Sequence, residues 1–465
     1  MTDLLIRGGT VVTASAARRA DVAVRGGLIE AIEPELARRD AATEVVDATG
    51  LLVLPGVVDV HTHTRVATDG APDRFFQDSV AAAFGGTTTF LVFNTPSTGE
   101  AAAGPRSLVR DLASWRSRTD GDSAVDYALS LVVTGWHEDP VAEIPAIVDA
   151  GVPTAKAFMV YDFRLDDRRL YEAVRVMGER GGMLQVHCED PVLIDAAVGD
   201  ALQRGNTLPR YHAETRPNWA EAAATERAMA FARQSGAPVH VVHLSCAAAL
   251  DAVRRAKAAG VHAHAETCPH YLALTLDRYD APDPVDCARY VISPPLRAKA
   301  DQDALWAGLA DGTLDLVATD HVPDRVGVEK GLARDGIPFD QISNGAPGIE
   351  TLLTVVWSEG VAKGRITPER AVDLLSTTPA RLFGLRSKGA VEVGRDADLV
   401  LFDPAARRTL RAEDLHHTSD YTPYEGFEAS GAVRSVWVRG APVIRDGAFV
   451  GRRGHGHFLE RAIAR

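Results

Sequence analysis

VVDVHTH, residues 57–63, is an apolar run that ends in a His-x-His pair. Side chains of an extended strand alternate faces, so a strand here puts His61 and His63 on one side, about 7 Å apart along the chain. Two imidazoles at the C-terminal end of a buried strand are placed to share a metal ion. A His-x-His alone is weak evidence. What strengthens it is that ligand-type residues sit late in other apolar runs: Lys156 in VPTAKAF (152–158), His187 in MLQVHC (183–188), His243 in VHVVHL (239–244) and Asp320 in LDLVATD (314–320).

Three more β-like runs, TTTFLVF (87–93), YALSLVV (127–133) and VHAHAET (261–267), bring the set to eight. Helical periodicity lies between most of them, at 168–180, 220–234, 246–259 and 301–311. Alternating strands and helices in this number predict an α/β fold, a (β/α)8 TIM-type barrel whose strand C-terminal ends carry the active site. A doubly wound open sheet is the competing fold, but no Gly-x-Gly-x-x-Gly follows the first strand.

The two ends of the chain read differently. DLLIRGGTVV is a strand broken at Gly-Gly, and ADVAVRGGLIEAIEP is a hairpin turning at Gly-Gly. DADLVLFDP and AVRSVWVRGAPVIRDGAFVG repeat this style near the C-terminus. The expectation is one small β-sandwich domain built from residues 1–50 and 386–465, with a metal-dependent hydrolase barrel over 51–385 inserted between its halves.

With 465 residues, 46% of them hydrophobic and 24% charged, the chain has the composition of a globular enzyme. A net charge of -13 argues against nucleic acid or an anionic membrane as partner. The four cysteines form no Cys-x-x-Cys, which fits free thiols in a reducing cytoplasm. MTDLLIRGGT lacks the apolar core of a signal peptide, and no run approaches the roughly 20 residues of a membrane span.

Each candidate has a plain structural reading beside the chemical one. An unpaired Lys156 in a strand covered on both faces is costly unless it reaches the rim or an acid. Burial near a metal depresses an amine's pKa, and a neutral amine can take up carbon dioxide to become a carbamate that bridges two metals. His187 or His243 alone reads as a core histidine; together, at matching depth, they read as ligands of a second metal. Asp320 needs a buried partner, and it is also a candidate general base and acid. His262, His264, His455 and His457 read as structural or surface groups, His270 and His321 as supports, and Cys188 as a buried thiol.

The chain resembles the amidohydrolase superfamily and, within it, the cyclic amidases of the D-hydantoinase and dihydropyrimidinase branch, with allantoinase a little further off. The resemblance covers nearly the whole chain. It is carried by LPGVVDVHTH, AAAFGGTTT, KAFMVYD, VHCED, VVHLS, AETCPHYL, SPPLR, ATDH, NGAPGIE, STTPARLFGL, KGAVEVGRDADLVLFDP and LHHTSDYTPYEGFEASG. It implies hydrolytic ring opening of cyclic amides or ureides to N-carbamoyl amino acids by a bridging hydroxide. His61, His63 and Asp320 would bind one divalent ion, His187 and His243 a second, and N6-carboxylated Lys156 would bridge both, with zinc the first choice. Tyr161 would hydrogen-bond the developing oxyanion, and Ser293 and Asn344 would hold the ring's imide or ureide edge through backbone groups. Allantoinase activity and a non-catalytic dihydropyrimidinase-like assembly protein are the alternatives, and a mononuclear deaminase is disfavoured by Lys156. The tail DGAFVGRRGHGHFLER resembles that of tetrameric relatives, so a homotetramer is expected. Two segments, TRVATDGAPDRFF and FNTPSTGEAAAGP, depart from the family's pattern and are expected to line the mouth beside the substrate's exocyclic group.

Overall fold

A computed structural model of the chain describes residues 3–38, 41–94 and 106–463. Eight parallel strands stand in chain order in one sheet: β1 (Val57–Thr62), β2 (Thr87–Phe93), β3 (Asp126–Val133), β4 (Thr154–Phe158), β5 (Met183–His187), β6 (Val239–Val241), β7 (Ala263–Thr267) and β8 (Leu316–Val317). The seam closes where Thr62 bridges His321 in parallel, with the His63 amide donating to the His321 carbonyl at 2.7 Å. The sheet is therefore the predicted barrel. β1 and β2 are buried at every position, as expected for strands covered on both faces and rich in Val, Thr and Phe.

The expected helices form, with ends shifted by a residue or two. The helix Asp167–Glu179 shows the logic: the Asp166 carboxylate caps it by accepting from the Arg169 amide at 2.9 Å, and Leu170, Ala173, Val174 and Met177 form its buried stripe. The last two ligand-bearing runs end earlier than expected. β6 stops at Val241 and β8 at Val317, so His243 and Asp320 lie in the turns beyond them.

Strands from both ends of the chain share a seven-stranded sheet, in which Leu52–Pro55 pairs with Leu399–Thr409. A four-stranded sheet (Leu4–Arg7, Asp21–Arg25, Leu28–Glu33, Glu44–Asp47) packs against it. Leu4, Ile6 and Val22 from one sheet meet Val53, Leu399 and Trp437 from the other, which makes the unit a sandwich. Its hairpins turn where both residues have positive φ: Gly26 (57°) and Gly27 (82°), then Asp446 (46°) and Gly447 (76°).

The tail is not a solvated appendage. The Tyr127 amide donates to the His457 carbonyl at 3.0 Å, and the Leu459 amide returns a bond to Tyr127 at 2.8 Å. The Arg461 guanidinium is buried under the barrel, donating to the Leu129 carbonyl at 2.6 Å and Thr154 Oγ1 at 2.9 Å.

Candidate active site

At the C-terminal end of the barrel His61, Lys156, His187, His243 and Asp320 are buried, and His63 is three-quarters covered. Asp320 Oδ1 lies 2.9 Å from His61 Nε2 and 3.2 Å from His63 Nε2. One donor atom each from His61, His63 and Asp320 falls within 4.8 Å of the others, a group able to hold a metal ion. Lys156 Nζ is 3.5 Å from His61 Nε2 and lies over the rings of Phe93 and Phe158, at 4.7 and 5.1 Å. The His187 and His243 rings stand 4.5 Å apart, and His243 is 5.4 Å from His61. All six predicted ligand side chains converge.

Burial sets the protonation states here. It brings the Lys156 amine down to about 8, within reach of the neutral form, and lowers His187 and His243 so that their rings stay neutral. Burial opposes ionisation of Asp320, but the neighbouring His61 and His63 outweigh it and hold the carboxyl well below its usual range. Neutral His63, His187 and His243 and an ionised Asp320 are forms that bind zinc, manganese or cobalt; burial lowers His61 too, but Asp320 and Glu266 outweigh it and raise that ring, which would give up its cavity-side proton to an ion, so the donor set fits a divalent ion.

Three acidic residues that sequence reasoning passed over hold these groups in place. Glu266, at the end of β7, accepts from His61 Nδ1, from His240 Nε2 at 2.8 Å and from the His243 amide at 3.2 Å. It thereby fixes the His61 tautomer, with Nε2 facing the cavity. Asp59 accepts from the Thr319 hydroxyl at 2.6 Å and the Thr319 amide at 3.1 Å, tying the residue before Asp320 to β1; burial raises its carboxyl to about 6. Glu189 accepts from His187 Nε2 and from Arg216, both at 2.7 Å. The signals were present: Asp59 is an acid inside an apolar run, two residues before His61, and Glu266 ends a run whose His-x-His drew the attention instead.

A cavity of about 360 Å³ opens beside the cluster. Tyr161, Ser293 and Asn344 line it with His63, Lys156, His187, His243 and Asp320, and Asn344 Nδ2 donates to the Tyr161 hydroxyl at 3.4 Å. Burial raises the Tyr161 phenol, so it remains a proton donor. Trp136, Phe158, Phe163 and Val132 form an apolar wall, and Arg65, from the departing segment after His63, stands at its edge. Of the other such segment, FNTPSTGEAAAGP, residues 95–105 lie outside the described residues.

The remaining histidines stand apart. His264 faces Asp315 at 3.6 Å, His262 is exposed, and His455 contacts the Val438 carbonyl at 3.1 Å. His321 supports the seam, with Nδ1 accepting from the Gly348 amide at 3.1 Å. His270 packs on Tyr271, their ring centroids 4.2 Å apart. Cys188 is a buried free thiol raised by burial to about 12.

Residues 52–443 match the model of the amidohydrolase family. The chain belongs to the amidohydrolase family. Among its relatives in that family, the D-hydantoinase of Streptomyces coelicolor is 39% identical over 98% of both chains. The D-hydantoinase of Geobacillus stearothermophilus is 39% identical over 98% of this chain and 96% of its own. The crystal structure of dihydropyrimidinase from Brevibacillus agri superposes with a TM-score of 0.93, at 41% identity over the whole of both chains. The amidohydrolase match spans the entire barrel and the strands that join it to the sandwich.

Proposed function

We propose that this chain is a metal-dependent cyclic amidase that opens hydantoins, 5-substituted hydantoins or dihydropyrimidines by hydrolysis to N-carbamoyl amino acids. The observation that carries this is a buried lysine that lines one cavity with His63, His187, His243 and Asp320, while His61 lies behind them against Asp320. Full-length relatives named D-hydantoinase and dihydropyrimidinase support the substrate class.

His61, His63 and Asp320 would hold one divalent ion and His187 and His243 a second, with zinc the first choice. Lys156, as its neutral amine, would add carbon dioxide: an Nζ–C bond forms, a proton leaves, and the resulting N6-carboxylate would supply oxygen donors to both ions. When bound, the ion pair supplies a hydroxide nucleophile at neutral pH and polarises the scissile carbonyl. Asp320, held ionised by its histidine neighbours, accepts the nucleophile's proton and returns it to the leaving ring nitrogen. Tyr161, kept protonated by burial, donates to the oxyanion as the carbonyl carbon becomes tetrahedral. Backbone groups at Ser293 and Asn344 orient the ring's imide edge, so that the right carbonyl faces the nucleophile.

Barrel residues 51–385 would carry this chemistry, and residues 1–50 and 386–465 would form the sandwich domain. The protein would work as a cytoplasmic homotetramer on a small cyclic amide; no helix of the described residues is long and apolar enough to cross a membrane. The test is to assay metal-loaded protein on hydantoin, 5-substituted hydantoins of each hand, dihydrouracil and allantoin, with metal counted per chain. Two ions and turnover of a hydantoin or dihydropyrimidine are expected. One ion per chain, or turnover of none of these rings, refutes the proposal.

A further inference from the structure

Lys330 lies outside the metal cluster, yet it is completely buried. Its ammonium donates to two backbone acceptors, the Val291 carbonyl at 2.9 Å and the Ser343 carbonyl, and forms an ion pair with Asp324 Oδ2 at 3.5 Å. Val291 is two residues before Ser293, and Ser343 immediately precedes Asn344. The same Val291 carbonyl also accepts from the Gly345 amide at 3.0 Å. One cation thus clasps the two loops that line the cavity with Ser293 and Asn344.

The clasp extends to a third loop. Asp324, also fully buried, pairs with Arg65 at 2.7 Å, and Arg65 pairs with Glu329, next to Lys330, at 2.6 Å. Arg65 is itself part of the cavity lining. The loops after β1, β7 and β8 therefore meet beside the substrate space at one ion set, fully buried at Lys330 and Asp324 and partly exposed at Arg65 and Glu329. Stability alone is a poor reason for such a set, because well-packed apolar side chains of similar volume usually serve as well or better. Holding backbone carbonyls at a fixed spacing is something an apolar side chain cannot do.

We infer that Lys330 is a positioning residue for substrate binding, which sets the distance between Ser293 and Asn344 by bridging the backbone of their loops. Its contribution lies in binding the ring edge, so it acts on KM more than on kcat. This rests on the cyclic amidase reading of the cavity, and two readouts keep them separable.

Lys330→Met, Lys330→Arg and Asp324→Asn are compared with the wild type as metal-loaded full chains. Lys330→Met is expected to raise KM for hydantoin about tenfold or more, with kcat within about threefold and metal content unchanged. Lys330→Arg, which keeps the charge, recovers part of the loss. Amide hydrogen exchange of the substrate-free protein is expected to quicken at Gly345 in Lys330→Met while the barrel strands exchange as before. Asp324→Asn gives a smaller change of the same kind and carries the test if Lys330→Met does not fold. Unchanged KM together with unchanged Gly345 exchange overturns the inference, as does an equal fall in kcat and metal content. If the wild type turns over no cyclic amide, the reading of the cavity fails, and exchange at Gly345 still decides whether Lys330 holds the two loops together.

Discussion

Glu266 offers the sharpest test of how the ligands are held. It makes no contact with substrate space in this geometry; its two oxygens accept from the His61 ring, the His240 ring and the His243 amide. Glu266→Ala leaves three buried donors without an acceptor. At roughly 1–3 kcal/mol for each unsatisfied group, independent losses would total about 3–9 kcal/mol. The three share one carboxylate and one cavity, which a water can enter, so about 3–5 kcal/mol is expected, the range for breaking a buried pair. The effect on metal affinity is separate. Without an acceptor at Nδ1, the His61 ring is free to turn or change tautomer, and loss of such a partner weakens metal binding about 10–100-fold. Glu266→Gln keeps one acceptor oxygen for His61 but presents an NH2 group, so its losses should fall near the lower bounds. Denaturant unfolding of metal-free protein measures the first quantity, and competition with a chromogenic chelator the second. Wild-type metal affinity in Glu266→Ala would refute the view that this carboxylate sets the His61 donor.

The other predictions address the chemistry and the frame. Tyr161→Phe should lower kcat about 10²–10³-fold with metal content intact; a near-normal rate removes Tyr161 from the mechanism. Lys156→Ala should lose most bound metal and activity, and two ions per chain in that variant would contradict a bridging carboxylate. Because burial brings the Lys156 amine to about 8, its neutral form grows as pH rises through that value, so metal-stripped protein given back a divalent ion at a fixed dissolved carbon dioxide concentration should regain activity faster above it than below; an opposite pH trend removes the neutral amine from the carboxylation step. Gly456→Ala would place a Cβ 1.8 Å from the Val125 carbonyl oxygen, so the tail must lift, at a cost of roughly 1–3 kcal/mol in urea unfolding; kcat/KM should stay near normal, since the strain falls on the barrel face opposite the site.

The barrel was legible because each strand announces itself as a short apolar run and each ligand sits at or near its end. The sandwich was legible from its Gly-Gly and Asp-Gly turns. The six candidate ligands could be named because their side-chain chemistry is unusual in or just past a buried strand. What the sequence did not disclose is the support. Glu266 and Glu189 are ordinary acids in sequence, and only the fold brings Glu266 to His61, 205 positions away. Lys330 is the plainest case: no motif marks it, and its burial depends on three loops meeting around it.

The backbone at the site carries a further message that no pattern of residues could. Among the described residues five non-glycines have positive φ, and three of them, Tyr161 (75°), His243 (39°) and Asp320 (52°), line the cavity. A left-handed conformation costs a residue with a Cβ about 1–2 kcal/mol. Strand alternation explains why that cost is accepted. An ordinary continuation of β6 or β8 would carry its side chains on the alternating course of the strand, whereas a left-handed turn just past the last paired residue swings the next functional group over the barrel's mouth. Each turn is then held by a polar contact of its own: the His243 amide by Glu266, the Tyr161 carbonyl by the Arg164 guanidinium at 2.7 Å, and the Asp320 carboxylate by His61 and His63. Glycine at these positions would relieve the backbone and remove the chemistry, so the strain and the function are located in the same three residues.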